Sequence, residues 1–119
     1  MLKAILLAAI VSMGLLLPDS AAAHAVLVES RPAPKAEISG SKVEFNLHYN
    51  SRVDAKRSRL ALKGPAGTKV LEVRQGKTEA DLAASIATLA PGRYVLHWDV
   101  LSVDGHVSRG QVPFTTTER

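Results

Sequence analysis

Val43, Phe45, Leu47 and Tyr49 alternate with Glu44, Asn46, His48 and Asn50, and that two-residue period commits the segment to a strand with one buried face. A helix would scatter the same apolar side chains around its surface. Tyr94, Leu96, Trp98 and Val100 repeat the period, but Val95 and Leu101 place apolar groups on the second face as well, which predicts a central strand. Shorter candidates lie at Val26–Glu29, Leu60–Leu62, Val70–Val73 and Val112–Thr116. Turn chemistry separates them at Pro32-x-Pro34, Ser39-Gly40, Gly64-Pro65-x-Gly67, Gly76, Pro91-Gly92 and Asp104-Gly105. Short strands punctuated in this way predict an all-β fold, a small antiparallel β-sandwich. Glu79 to Leu89, EADLAASIATL, has the composition of a helix. It reads as a short crossover helix or as a tightly packed strand, and the strand is preferred.

The chain before these strands is of another kind. Lys3 supplies a positive start, Ala4 to Leu17 form an apolar run, and Ala21-x-Ala23 completes a small-residue cleavage pattern after Pro18-Asp19-Ser20. The run is shorter than the ~20 residues that span a bilayer. Residues 1–23 therefore read as a signal peptide, with an uncleaved anchor as the lesser alternative, and residues 24–119 as one exported, periplasmic domain. No twin arginine opens the leader and no cysteine follows it to accept lipid. A domain of this length buries roughly 60 to 65% of its unfolded surface.

Both methionines, Met1 and Met13, lie in the leader, and the chain has no cysteine. The processed domain thus has no sulfur, so it cannot use disulfides although its compartment would allow them. It also lacks the soft ligands that select Cu(I) or iron–sulfur clusters. A net charge of +4 is scattered rather than clustered, which gives nucleic-acid binding little support. A monomer is expected.

Cleavage after Ala23 would make His24 the first residue. Its free α-amine and its own Nδ1 can then chelate one metal together, and an amine pKa near ~7.7 to 8.0 means that only a weakly held proton is displaced. Asp104 and His106, two apart in Ser102-Val103-Asp104-Gly105-His106, would point to one face of an extended segment. An amine, two imidazoles and a carboxylate suit Cu(II), which tops the divalent affinity order, with Zn(II) and Ni(II) as weaker occupants of the same donors. Each piece also has a plainer reading, a chance histidine after a leader and an Asp-Gly hairpin turn.

The chain resembles the CopC family of periplasmic copper-binding proteins. The resemblance runs through His24-Ala25-x-Leu27 with Ser30-Arg31-Pro32, Leu47-His48-Tyr49 to Val53-Asp54, and Leu89-Ala90-Pro91-Gly92-Arg93-Tyr94-Val95 with Trp98. It continues through Ser102-x-Asp104-Gly105-His106 and Gly110 to Phe114. It implies a cupredoxin-like or immunoglobulin-like Greek-key β-barrel of about seven strands. It also implies one Cu(II) per chain, held by His24, Asp104 and His106, and a possible inner-membrane partner of the CopD type. Ser51 stands where some members place a glutamate near copper, so no further side-chain ligand is expected. The methionine-rich Cu(I) site of other members has no counterpart in a domain without methionine.

His48 and His97 fall opposite the clearest apolar stripes and read as solvated strand histidines. The alternative is a second weak metal site, with Asp99 beside His97. A triad of Ser102, His97 and Asp99 would need geometry that sequence does not supply. Two rival functions differ in class. A copper oxidative enzyme with a terminal histidine must cycle through Cu(I), whereas the Asp104 carboxylate favours Cu(II). Such an enzyme also needs a substrate surface, yet Phe45, Tyr49, Tyr94, Trp98 and Phe114 are all assigned to the core by the alternation. An exported interaction domain without metal would leave His24 without a role. The expectation is a binding protein in copper homeostasis or resistance, not an enzyme.

Overall fold

The structure, a computed structural model, describes residues 25–118. Within them the chain forms nine strands: β1 (Leu27–Arg31), β2 (Ala36–Ser39), β3 (Val43–Tyr49), β4 (Arg59–Gly64), β5 (Gly67–Leu71), β6 (Arg74–Gln75), β7 (Asp81–Ile86), β8 (Gly92–Leu101) and β9 (Val107–Thr117). One turn of 3-10 helix, Ala55–Arg57, lies between β3 and β4, capped by the Asp54 side chain. The strands form two sheets, ordered β1-β3-β7-β6 and β2-β9-β8-β4-β5. The all-β sandwich is as expected, with nine strands rather than seven. β8 is central, the middle strand of its sheet.

Alternation sets which face each strand buries. Val43, Phe45, Leu47 and Tyr49 turn inward from β3, and their neighbours Ile86, Ala84 and Leu82 on β7 turn inward with them. From the other sheet come Leu60, Leu62, Tyr94, Leu96, Trp98, Val100, Val112 and Phe114. Two aromatic pairs span the sheets edge to face, Phe45–Phe114 at 5.8 Å and Tyr49–Trp98 at 5.3 Å between centroids. All five aromatic residues assigned to the core are buried there.

EADLAASIATL is a strand over Asp81–Ile86. The inward register against β3 decides it: Leu82 meets Leu47 and Ala84 meets Phe45, so alanine makes room for a large partner. Two features depart from the sequence reading. β2, unmarked by any alternation of large residues, pairs parallel to β9, with Ala36 beside Phe114 and Ser39 beside Thr117, so the sandwich is not purely antiparallel. Of the candidate at Val70–Val73, only Val70 and Leu71 are strand, at the end of β5, and Glu72 and Val73 fall in the gap before β6.

Packing is close where β9 crosses the sole tryptophan. A Cβ at Gly110 would stand 2.3 Å from Trp98 Cζ2 and 2.7 Å from Cε2, and Trp98 is itself buried. Gly110→Ala is therefore expected to destabilise the fold by about 1–3 kcal/mol, the usual cost of overpacking. The readout is a lower urea midpoint at unchanged m; an unaltered midpoint would show that the indole has room to move.

Candidate metal centre

Antiparallel pairing gathers the end of β3, the end of β8 and the starts of β1, β4 and β9 at one pole of the sandwich. The β8–β9 connection at this pole is the segment Ser102 to His106. Leu101 and Val107 form the last rung of the ladder. The Ser102 N–H donates to the His106 carbonyl at 2.9 Å, and the Gly105 N–H to the Ser102 carbonyl at 2.9 Å. Closing so tight a turn needs a residue at φ +98°, and glycine occupies it.

This turn, rather than the extended segment anticipated, brings the two predicted donors together. His106 Nδ1 lies 3.3 Å from Asp104 Oδ1, and the His106 N–H donates to the same oxygen at 3.3 Å. Beneath them the buried Ser102 donates its hydroxyl to Asp104 Oδ1. Hydrogen bonds from Ser102 and then His106 outweigh the modest desolvation and hold the exposed Asp104 carboxyl below the ordinary aspartate range. At neutral pH it is an anion, as a metal-binding or imidazole-orienting group must be.

The pole is braced from behind. Ser102 bridges Val53, the Val103 N–H donates to the Arg52 carbonyl at 3.2 Å, and the Asp54 N–H donates to the Leu101 carbonyl at 2.8 Å. The crossover after β3 thus grips the root of the turn. It also grips the start of the described chain: the Val26 N–H donates to Asn50 Oδ1 at 2.8 Å, and the Asn50 N–H returns to the Val26 carbonyl at 3.0 Å. Ala25 is buried in the core. His24, the third predicted donor, lies outside the described residues. Among the described residues, no three His, Cys, Asp or Glu side chains gather as a metal cage; Asp104 and His106 form a pair.

The other histidines differ from one another. His97 and Asp99 share the outer face of β8, but Asp99 Oδ1 is 3.3 Å from Arg109 Nε and pairs across the ladder with Arg59. A second metal is thereby opposed by two cations, and the Ser102, His97 and Asp99 triad does not form, because the Ser102 hydroxyl serves Asp104.

His48 is not the freely solvated side chain expected. Its Nδ1 is 2.5 Å from Oδ1 of the buried Asp81, whose Oδ2 accepts from the Thr78 N–H and hydroxyl, both at 2.9 Å. Burial pushes the Asp81 carboxyl up, yet the bonds from His48 and Thr78 together overcome it, leaving the pKa lowered. Two outward-facing residues predicted this partnership only once the β3–β7 register was known.

A family model described as the CopC domain matches residues 27–117. YobA of Escherichia coli (strain K12) is 31% identical over 104 residues, 84% of each chain. The crystal structure of CopC from Methylosinus trichosporium OB3b superposes with a TM-score of 0.73 at 27% identity, over 81% of this chain and 96% of that one. PcoC of Escherichia coli, a methionine-rich copper resistance protein, shares the fold with a TM-score of 0.62 at 21% identity, over 80% of this chain and 100% of its own.

Removal of the buried hydroxyl provides a direct check on the turn. Ser102→Ala should raise the Asp104 pKa toward the ordinary ~3.9, because the first-ranked stabilising bond to the anion is lost. A carboxyl carbon NMR titration reads it; an unmoved midpoint would mean that Ser102 does not set the charge of Asp104.

Proposed function

The chain belongs to the CopC family, and from that premise we propose that it is a periplasmic Cu(II) carrier or buffer with one copper site at the pole. Residues 1–23 are the cleaved signal peptide and residues 24–119 the working domain. His24 supplies its amine and imidazole, His106 an imidazole nitrogen, and Asp104 a carboxylate that ligates directly or orients from close by. The ion is cargo rather than a resident catalyst.

One observation carries this reading: the Ser102–His106 turn holds an ionised carboxylate 3.3 Å from an imidazole. It does so at the same pole where buried Ala25, the residue after His24, enters the core. An anchored Ala25 limits how far an amino-terminal donor can stray, so less freedom is lost when it closes on the metal. The donor set of amine, imidazole and carboxylate fits Cu(II) by hardness and by the affinity order. PcoC is a copper resistance protein, and its methionine-rich character has no parallel here, since both methionines precede residue 24. That difference supports a Cu(II) site without a Cu(I) companion.

Carriage rather than catalysis is supported by the surface. Phe45, Tyr49, Tyr94, Trp98 and Phe114 are all buried, which leaves no aromatic platform for a polymeric substrate. The protein works as a monomer, handing copper to or from an inner-membrane partner of the CopD type, in homeostasis or resistance.

The test is calorimetric titration of the secreted protein with Cu(II), with intact mass and electron paramagnetic resonance on the same sample. One tight equivalent on a chain starting at His24 is expected. A single residue added before His24 destroys the amine chelate and should weaken binding by more than about a hundredfold, beyond the 10- to 100-fold that losing an outer partner costs. Unchanged affinity in the extended protein would overturn the ligand set. Since these donors must shed protons to bind, affinity should fall as pH drops through the histidine range near ~6.5; a titration flat from about pH 8 to 5 would contradict that requirement.

A further inference from the structure

On the outer face of the four-stranded sheet, β1, β3 and β7 set Glu29, His48 and Asp81 side by side in one cross-strand row. Directly paired residues on a sheet have Cβ atoms about 4.5–5.5 Å apart, so the Glu29 carboxylate stands on the strand beside an imidazole that already touches Asp81, although the three do not form a closed cage. From this arrangement we propose a second divalent-metal site, separate from the pole, in which His48 Nε2 and the Glu29 carboxylate take up Cu(II) or Zn(II) and Asp81 orients the imidazole.

Asp81 is the reason this histidine differs from an ordinary surface one. It is an acceptor-only anion with Oδ2 already occupied by the Thr78 N–H and hydroxyl. At 2.5 Å from Oδ1, Nδ1 must be the nitrogen that carries the proton. The neutral ring then bears its lone pair on Nε2, open to a metal, and the ring is held in place before any ion arrives. A buried carboxylate behind a ligating histidine is the usual outer partner of metal-bound imidazole. Asp81 is itself enclosed by the β6–β7 turn: Gly76 packs so closely that a Cβ there would stand 2.6 Å from Asp81 Cβ, and Gln75 Nε2 donates to the Asp81 carbonyl at 3.0 Å.

The half-exposed His48 ring borders a cleft of about 300 Å³ lined by Glu29, Arg31, Asn46, His48, Lys77 and Asp81. Two features of that lining favour a cation over an empty groove. The side-chain oxygen of Asn46, two residues before His48 on the same face, is buried and accepts no hydrogen bond, which is a standing demand for a donor or a metal. Arg31, the nearest competitor for Glu29, approaches it only to 3.9 Å with both side chains largely exposed, a pairing of little strength. Lys77 opposes binding, so the site is weaker than one built wholly of anions. Imidazole with oxygen donors suits Cu(II) and Zn(II), and Cu(II) binds the more tightly.

The experiment loads the secreted protein with one equivalent of Cu(II) and then titrates further Cu(II) by calorimetry, with electron paramagnetic resonance at each step. A second, weaker equivalent showing one imidazole nitrogen is expected. His48→Gln should abolish it while leaving the first equivalent as it was. Glu29→Gln should weaken it, and Asp81→Asn should weaken it about 10- to 100-fold, as loss of an outer-shell partner does. A second equivalent that survives His48→Gln overturns the site, as does the absence of any Cu(II) binding. If only one equivalent binds in total, its loss in His48→Gln supports this site and its persistence there overturns it, whatever becomes of the pole.

Discussion

Each strand of this sandwich must give one of its two faces to the interior, and that apolar contact is the main bond between the sheets. No disulfide is possible in a chain without cysteine, and residues 25–118 contain no α-helix to cover a sheet. Cohesion comes from side chains meeting across the gap, above all Phe45 against Phe114 and Tyr49 against Trp98. Apolar burial of this kind contributes about 25 cal/mol for each Å² withdrawn from water, and it acts only if every register is kept. A slip of one residue would turn a whole strand inside out. The same rule that fixes the core therefore fixes what the outer faces and the ends of the strands can carry.

Those leftover positions are where polar chemistry collects, and they are of two kinds. At the pole, the ladder ends and the backbone has donors and acceptors to satisfy. The Ser102 hydroxyl and the His106 N–H meet on one oxygen of Asp104, while Arg52 and Asp54 tie the turn to the crossover. On the outer face, chemistry arises from lateral neighbours on paired strands, as with His48 and Asp81. Rigidity has a different origin in the two places, a braced turn in one and cross-strand pairing in the other.

What could be seen in the sequence follows from these origins. β3 and β8 were legible because large apolar residues alternate in them without interruption. β7 was only half legible, since alanine suits both a helix and a strand facing bulky partners, and the partner Phe45 belongs to another segment. β2 was invisible, being four residues long and half-buried at best. Asp104 and His106 were legible as a pair, but the turn that joins them depends on Ser102 and Gly105. His48 with Asp81 was not legible at all: the two are 33 positions apart, and only the pairing of β3 with β7 makes them neighbours.

The parallel pairing of β2 with β9 has a consequence for how the molecule comes into being. β2 joins its sheet near residue 36, yet its partner rows are Phe114 to Thr117, at the far end of the described residues. Contacts so distant along the polymer form late, because a long loop must close before they yield anything. Until the segment that carries β9 can dock, one border of the sheet stays open. The last edge to be sealed is thereby the one whose two strands lie farthest apart along the polymer.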